Sequence, residues 1–343
     1  MSSPKLEDDR RGTLVKAAQL IRRFLPLFVL CAITLGLLLG SAFPHGVRVL
    51  KPIMPLFLVT MLYPMMVNLK VEEIAKSLRN LRLFTAAIAI NFILTPLLGG
   101  LWAALFFKGV DPNLAAGFIL KVTVPCSGMV AAWTGYAKGR VESALIIVAL
   151  SLLLSIFLVP LWMALLARVY VRVSFWLIFQ KILLIVVIPL IAGVATRRYL
   201  TSRWGMERYL KMLPLFPAVS TCGMLLMVFS IMALEARMIV GHLSYLGLVI
   251  AGIITLYPLL FVLAMLYSKV SRLDYGDAIA LGYGVTAKNH AITIALAITS
   301  FSSPLAALPA ACAPLIQIPL MMTILRFSKR LRRMLAGSIA GAA

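Results

Sequence analysis

The sequence is poor in acidic side chains and in charge overall. Only 11 of its 343 residues are Asp or Glu, against 33 Lys and Arg, and charged residues make up 13% of the chain. Hydrophobic residues make up 62%, and the mean hydropathy is +1.02. Because soluble domains carry about 25% charged residues, this composition excludes a soluble protein and indicates an integral membrane protein.

Cysteine and histidine are also scarce. None of the four cysteines belongs to a CxxC pair, and all of them fall in apolar segments, so no disulfide framework is predicted. The three histidines are scattered and form no constellation with Cys and carboxylates that is typical of an enzyme. We therefore predict no enzyme activity, no bound metal and no cofactor.

Long apolar runs dominate the chain. A hydrocarbon core about 30 Å thick needs about 20 apolar residues per helical span, and the runs predict an all-α polytopic membrane protein with ten transmembrane helices. These form one transporter domain over residues 24–328, between a basic N-terminal segment, 1–23, and a basic tail, 329–343. The first run lacks a clean small-residue cleavage site, so we expect it to be retained.

The basic residues are unevenly distributed between the loops. Loops on the side of the N-terminus hold most of the Lys and Arg, which predicts cytoplasmic N- and C-termini in a multi-pass protein of the plasma (inner) membrane. Attraction of these side chains to anionic headgroups contributes about 1 kcal/mol each. The lipid bilayer thus accounts for the net charge of +22, and no nucleic-acid partner is expected.

The chain contains a weak internal repeat. The residues around Pro160 resemble those around Pro319, and the same shift places the stretch 125–128 of the fourth span opposite 284–289 of the ninth. Five spans per repeat give the halves opposite topology, and inverted repeats with interrupted helices are typical of secondary transporters with a midplane site. A chance match between apolar segments is the alternative.

Lys288 lies well inside the ninth span, where a charged ammonium is costly. No carboxylate lies at a similar depth, which argues against an ordinary sodium site or a carboxylate proton relay. Lys288 is predicted to act as an anion anchor, a proton carrier or a fixed cation in place of sodium; otherwise it snorkels or bonds carbonyls at the helix break. Thr286, Asn289 and His290 supply polar groups beside it.

The fourth span supplies a second set of candidates. Cys126 lies at the predicted break, next to Pro125 and Ser127, where its thiolate would bind soft trivalent arsenic or antimony; the alternative is a small packed hydrophobe. Lys121 either adds positive potential to the same cavity or lies toward the outer interface. Trp133 either lines the cavity or packs in the core.

Several short motifs are spread along the chain. They are MLYP at 61–64, KVEE at 70–73, Cys126 with Trp133 seven residues later, AKG at 137–139 and PLIQIP at 314–319. These motifs resemble those of the bile acid:sodium symporter superfamily, and within it the arsenical-resistance (arsenite efflux) permeases, and the resemblance covers nearly the whole chain. The resemblance implies two inverted five-helix repeats, about 24–168 and 175–328, with broken helices 4 and 9 crossing, and an organisation into a panel and a core domain.

This chain departs from the family pattern at its functional motifs. Pro125 replaces the permease arginine, and the permease glutamate of the ninth span is absent after Lys288-Asn289-His290, which weakens the arsenite assignment. The sodium-dependent branch has a glutamate where this chain has Gly284. Its first sodium site falls on apolar residues here, namely Val130, Ala131, Ala144 and Val148. We therefore expect no sodium dependence.

Together these features predict a sodium-independent secondary transporter that moves a small anionic or metalloid solute by alternating access. Arsenite or a related oxyanion, with or without proton linkage, is the first hypothesis, and a small organic anion is the second. A non-transporting receptor or a channel is a third, although the sequence shows no sensor domain and no ring of charges. A homo-oligomer is compatible with the sequence.

Overall fold

A computed structural model describes residues 24–67, 80–213 and 215–340, with side chains as far as residue 328. The predicted N-terminal segment 1–23, the motif at 70–73 and the last three residues of the tail lie outside the described residues. Within the described ranges the chain is helical and contains no β-strand beyond one isolated bridge. The prediction of an all-α membrane protein is thus confirmed for this part of the chain.

The helices group into two compact units, each of which draws on both predicted repeats. Among the described residues, the first unit contains residues 24–67, 184–213 and 215–240. Its helices are α1 (Leu25–Ala42), α2 (Leu50–Val67), α9 (Ile188–Met212), α10 (Leu215–Leu234) and most of the short α11 (Ala236–Gly241).

Among the described residues, the second unit contains residues 80–183 and 241–340. Its helices are α3 (Leu81–Ala89), α4 (Thr95–Phe106), α5 (Pro112–Thr123), α6 (Met129–Tyr136), α7 (Val141–Leu166), α8 (Phe175–Ile182), α12 (Ser244–Val270), α13 (Tyr275–Thr286), α14 (His290–Ser300) and α15 (Leu308–Ala340). Two π-helical segments, Ile90–Leu94 and Leu183–Val187, continue α3 into α4 and α8 into α9.

Eight helical segments of the described chain are long and apolar enough to cross a membrane. The fourth and ninth predicted spans are not among them, because each consists of two short helices, α5 with α6 and α13 with α14, separated by a non-helical linker. The chain is therefore a multi-pass membrane protein with two interrupted helix pairs. The total of ten spans and their orientation remain predictions.

Small residues allow close helix packing in the first unit. A Cβ atom at Gly40 of α1 would overlap the backbone of Ala233 in α10, and one at Gly223 of α10 would overlap Met61 in α2. Contacts of this kind are typical of membrane helices, where close approach of backbones replaces the hydrophobic effect as the source of packing energy.

Packing in the second unit follows the same rule around the interrupted helices. Gly117 of α5 lies against the backbone of Ala306, which belongs to the 3-10 turn Pro304–Ala307 before α15. Gly284 of α13 lies against the Ile147 side chain of α7. Helices α5 and α13, which lead into the two linkers, are therefore packed closely against neighbouring segments of the same unit.

Candidate functional site

The linker between α5 and α6 begins where Val124 adopts an extended conformation, with φ −62° and ψ 159°. Val124 precedes Pro125, and a residue before proline is disfavoured in the helical region. The second linker follows Thr286 and ends at Asn289, whose side-chain oxygen accepts a hydrogen bond from the Ile292 amide and caps α14. Local sequence thus explains where each helix pair is interrupted.

The two linkers hydrogen-bond to each other. The Ser127 amide donates to the Ala287 carbonyl at 2.8 Å, and the Asn289 amide donates to the Pro125 carbonyl at 3.0 Å, which forms an antiparallel bridge between Cys126 and Lys288. Backbone groups that leave a helix inside a membrane need such partners, because lipid supplies none. The predicted meeting of the two stretches in space is therefore observed.

Lys288 is fully buried at this crossing. Its Nζ donates to Asn91 Oδ1 at 2.8 Å and to the Val124 carbonyl at 3.3 Å. That carbonyl lies at the C-terminal end of α5, where unpaired carbonyls and the negative end of the helix dipole favour a cation. The side chain thus bonds a carbonyl at the helix break and does not snorkel.

Asn91 is a functional candidate that the sequence reasoning missed. It lies in the π-helical segment after α3, and its Nδ2 donates to the Gly284 carbonyl at 3.2 Å while its Oδ1 accepts from Lys288. It therefore connects both sides of the α13 break. A lone asparagine in an apolar run is the signal that would have identified it.

Cys126 is buried beside Ser151 of α7. Its Sγ lies 3.0 Å from Ser151 Oγ, and Ser151 Oγ also accepts from the Cys126 amide at 3.3 Å. A small cavity of about 10 Å³, which is room for about one water, is lined by Ser151, Asn91 and apolar side chains that include Phe84 and Ile147. The cavity therefore adjoins the hydrogen-bond partners of both Cys126 and Lys288.

Lys121 lies in the last turn of α5, two residues before the helix ends, and its side chain is fully buried. This position adjoins the break. Its Nζ has no hydrogen-bond partner among the described residues and lies 5.5 Å from the centroid of the Tyr257 ring.

The other predicted residues of these spans have local roles. The Trp133 ring stacks on Tyr283 at a centroid distance of 6.3 Å, as the core-packing alternative expected. The Ser127 hydroxyl accepts from the Met129 amide at the start of α6, and the Thr286 hydroxyl donates to the Gly282 carbonyl within α13. These hydroxyls complete the helix ends at the two linkers.

The positions that resemble a sodium site supply no side-chain oxygen. Among them, Val130, Ala144 and Val148 are buried apolar residues, and Gly284 has no side chain. Sodium, like other hard cations, is bound by oxygen. No cluster of His, Cys, Asp or Glu suited to a metal ion occurs in the described part of the chain.

A polar cluster joins the start of α13 to α7 and α3. Asp277, which is 1% exposed, accepts hydrogen bonds from Asn80 Nδ2 at 2.8 Å and from Ser143 Oγ at 2.7 Å, and it pairs with Arg140 at 2.6 Å. Arg140 also pairs with Asp274, which caps α13 through the Asp277 amide. The sequence correctly placed these carboxylates at span ends but did not indicate that one of them is buried.

Comparisons with known proteins agree with this architecture. The model of the Sodium Bile acid symporter family matches residues 55–242, which is more than half of the chain. The arsenical-resistance protein Acr3 of Alkaliphilus metalliredigens is 27% identical over 338 residues, covering 92% of this chain and 94% of that protein. The protein of the same name from Corynebacterium glutamicum is 24% identical, covering 88% and 86%.

A third relative carries a different description. The uncharacterized sodium-dependent transporter YocS of Bacillus subtilis is 25% identical over 277 residues, covering 80% of this chain and 82% of that protein. These relatives are transporters and not enzymes, as expected for this chain. The chain belongs to the sodium bile acid symporter family and is a membrane transporter.

Proposed function

We propose that the chain is a sodium-independent secondary transporter that carries arsenite or a related oxyanion by alternating access. The observation that carries this proposal is the enclosed ammonium of Lys288, whose hydrogen-bond acceptors are an amide oxygen and a main-chain carbonyl. Neutral oxygens of this kind also coordinate alkali cations, so the ammonium acts as a fixed substitute for a coupling cation. The apolar residues at the positions of the family sodium site support the same conclusion.

Two features support a metalloid substrate. Two relatives that match most of the chain are arsenical-resistance proteins. Cys126 places a sulfur atom at the crossing, 3.0 Å from a hydroxyl group, and sulfur is the ligand type preferred by soft elements such as trivalent arsenic. We propose that Cys126 exchanges its contact with Ser151 for the solute.

The proposed architecture has ten spans in two inverted repeats, with the interrupted pairs α5 with α6 and α13 with α14 as spans four and nine. Both termini are cytoplasmic and the membrane is the plasma membrane. The interrupted pairs and their shared backbone hydrogen bonds support this arrangement, because discontinuous helices in corresponding positions mark the binding site of inverted-repeat transporters.

A small organic anion is the second candidate. The cations Lys288 and Lys121 are buried at the crossing, and neither of them contacts a carboxylate in the described part of the chain. Such a site favours a negatively charged solute of either class. Dependence on the Cys126 sulfur distinguishes the two classes.

The test is uptake of arsenite into proteoliposomes without sodium, with and without an imposed pH gradient. Replacing Lys288 with Met removes the charge but keeps the length of the side chain. We expect flux to fall by about tenfold or more, because a charge-assisted hydrogen bond is worth about 1.5–3 kcal/mol and 1.4 kcal/mol is a factor of about ten. Lys181→Met, at a half-buried lysine of α8, is the matched control and should transport normally.

Two further variants separate the mechanisms. Cys126→Ser should abolish arsenite flux while leaving any organic-anion flux intact. Lys288→Arg keeps a permanent charge, so it should retain flux if the residue is a fixed cation and lose proton-driven flux if the lysine carries the proton. Absence of arsenite flux in the unsubstituted protein, or flux that requires sodium, would contradict the proposal.

A further inference from the structure

The C-terminal part of α9 is longer than a membrane span requires. Residues 175–196 form a continuous helical stretch that rises about 33 Å at 1.5 Å per residue, which already matches a hydrocarbon core about 30 Å thick. Five of the residues 197–212 that follow are Lys or Arg and one is acidic. The next apolar span, α10, begins at Leu215, so residues 197–212 lie at the membrane surface between two spans.

A sharp bend divides this part of α9 at Gly205. Its backbone angles are φ 78° and ψ 159°, and a positive φ is accessible to glycine at little cost but strained for other residues. A Cβ atom at this position would meet nothing within 4 Å. The backbone angle, and not a lack of space, therefore requires glycine here, and it redirects the chain before α10.

Tyr209, in the turn after the bend, fixes the redirected segment to α2. Its hydroxyl donates to the carbonyl of Val67, the last residue of α2, at 3.2 Å. Both residues are buried, and they form one apolar cluster with Leu200 from before the bend. A carbonyl at the end of a helix lacks an intrahelical partner, so this hydrogen bond holds residues 206–212 at the surface end of α2.

The side chains around the bend that do not enter this cluster are exposed, and they are of two kinds. Three are large and apolar: Trp204 is 43% exposed, Met206 60% and Leu210 51%. Arg203 and Arg208 are basic and also exposed, and the Arg208 guanidinium lies 5.5 Å from the centroid of the Trp204 ring. Exposed apolar side chains beside basic ones are typical of segments that lie in the membrane interface, where tryptophan is enriched.

We propose that these five residues bind an anionic phospholipid of the adjoining leaflet. Trp204, Met206 and Leu210 contact the upper part of its acyl chains, and the two guanidinium groups donate hydrogen bonds to the headgroup phosphate, an acceptor that arginine can bind through two N–H groups at once. The one acidic residue of the segment, Glu207, pairs with Lys211 at 2.9 Å, so the segment keeps a net positive charge. The inference does not depend on the proposed transport of arsenite.

The experiment measures the fluorescence of Trp204 in the purified full-length protein, reconstituted in bilayers of phosphatidylcholine and phosphatidylglycerol. Bromine atoms on the acyl chains near the headgroup quench tryptophan that lies beside them, and they are placed on one lipid or on the other at the same mole fraction. Because the chain contains five tryptophans, the signal of Trp204 is the difference between the unsubstituted protein and Trp204→Phe. Brominated phosphatidylglycerol should quench this signal more than brominated phosphatidylcholine.

Substitutions of the arginines locate the lipid. Arg203→Gln and Arg208→Gln, each measured against its own Trp204→Phe partner, should lower the relative affinity for phosphatidylglycerol by up to about fivefold, because a basic side chain near an anionic surface contributes about 1 kcal/mol. Arg237→Gln, at an exposed arginine beyond the other end of α10, is the matched control and should keep the preference.

Three outcomes would overturn the proposal. Equal quenching by the two brominated lipids would show that the segment does not select an anionic headgroup. Absence of quenching by either lipid would show that Trp204 lies in water. A preference that survives substitution of both Arg203 and Arg208 would show that these arginines do not bind the lipid.

Discussion

Asn91 joins α13 to the linker that follows it, because its amide group accepts a hydrogen bond from Lys288 and donates one to the Gly284 carbonyl. Both the Nδ2 and the Oδ1 atom of this side chain form a hydrogen bond. An apolar residue of the same size would leave an ammonium with one partner and a buried carbonyl with none, and buried unpaired groups are costly.

We therefore predict that Asn91→Leu lowers the free energy of unfolding by about 1–3 kcal/mol or more and reduces transport. The measurement is the thermal unfolding midpoint in detergent, followed by flux in proteoliposomes. Thr85→Val is the matched control, since that hydroxyl is exposed on α3 and bonds only within its own helix. Equal unfolding midpoints for the two variants would show that the Asn91 amide does not stabilise the contact between the two linkers.

At the scale of single residues, the sequence identifies two residues of the candidate site but not their hydrogen-bond partners. Lys288 and Cys126 were identifiable because a lysine and a proline-linked cysteine interrupt apolar runs. Their partners were not, because Asn91 is 197 positions from Lys288 and Ser151 is 25 positions from Cys126. Such pairings depend on helix packing, which no local pattern encodes.

At the scale of elements, the start of α13 is tied to α7 and α3 by a carboxylate cluster. Asp274 and Asp277 both pair with Arg140, but the side chain of Asp274 is 48% exposed whereas that of Asp277 is 1% exposed. Water therefore screens the pair with Asp274 more than the pair with Asp277, and exposed ion pairs contribute about 0–1 kcal/mol.

Asp277→Asn is accordingly predicted to destabilise the protein far more than Asp274→Asn. The new amide at 277 would direct its NH₂ group at donors from Asn80, Ser143 or Arg140, whereas Asn at 274 still caps α13. Unfolding midpoints of the two variants provide the comparison. If both variants lowered the unfolding midpoint by a similar amount, burial of Asp277 would not explain the contribution of the cluster to stability.

The positions of the helix interruptions are predictable from the local sequence. Val124-Pro125 explains the end of α5, and Asn289 explains the start of α14. The sequence does not predict the π-helical segment at Ile90–Leu94, where the Thr95 amide and the Thr95 hydroxyl both donate to the Ile90 carbonyl five residues earlier. A hydroxyl in an apolar run usually bonds the carbonyl three or four residues earlier, so the wider turn has no local signature.

At the scale of the whole molecule, the distribution of basic residues predicts the orientation of the chain in the membrane. Reporter fusions provide the test. Alkaline phosphatase fused after Arg172 should be active, and fused after Arg272 it should be inactive, because the positive-inside rule places the first loop outside and the second inside. A cytoplasmic fluorescent reporter at the same two points should give the opposite result, and the reverse pattern for both reporters would invert the proposed topology.

The division into two units was not derivable from the order of the helices. Helices α1 and α2 belong to the same unit as α9 and α10, so each compact unit combines segments that are far apart in the sequence. The grouping arises from close approaches such as Gly223 on Met61, which bring distant segments together.

The hydrogen bonds shared by the two linkers have a consequence for biosynthesis. Residues 125–127 leave the ribosome long before residues 287–289, which supply their backbone partners. Until then the first linker must keep its polar groups in contact with water, with the insertion machinery or with a chaperone, because lipid offers nothing to them. A chain that ends before residue 287 would therefore lack the backbone partners of its first linker, so we expect the first half of the chain not to reach its final structure by itself.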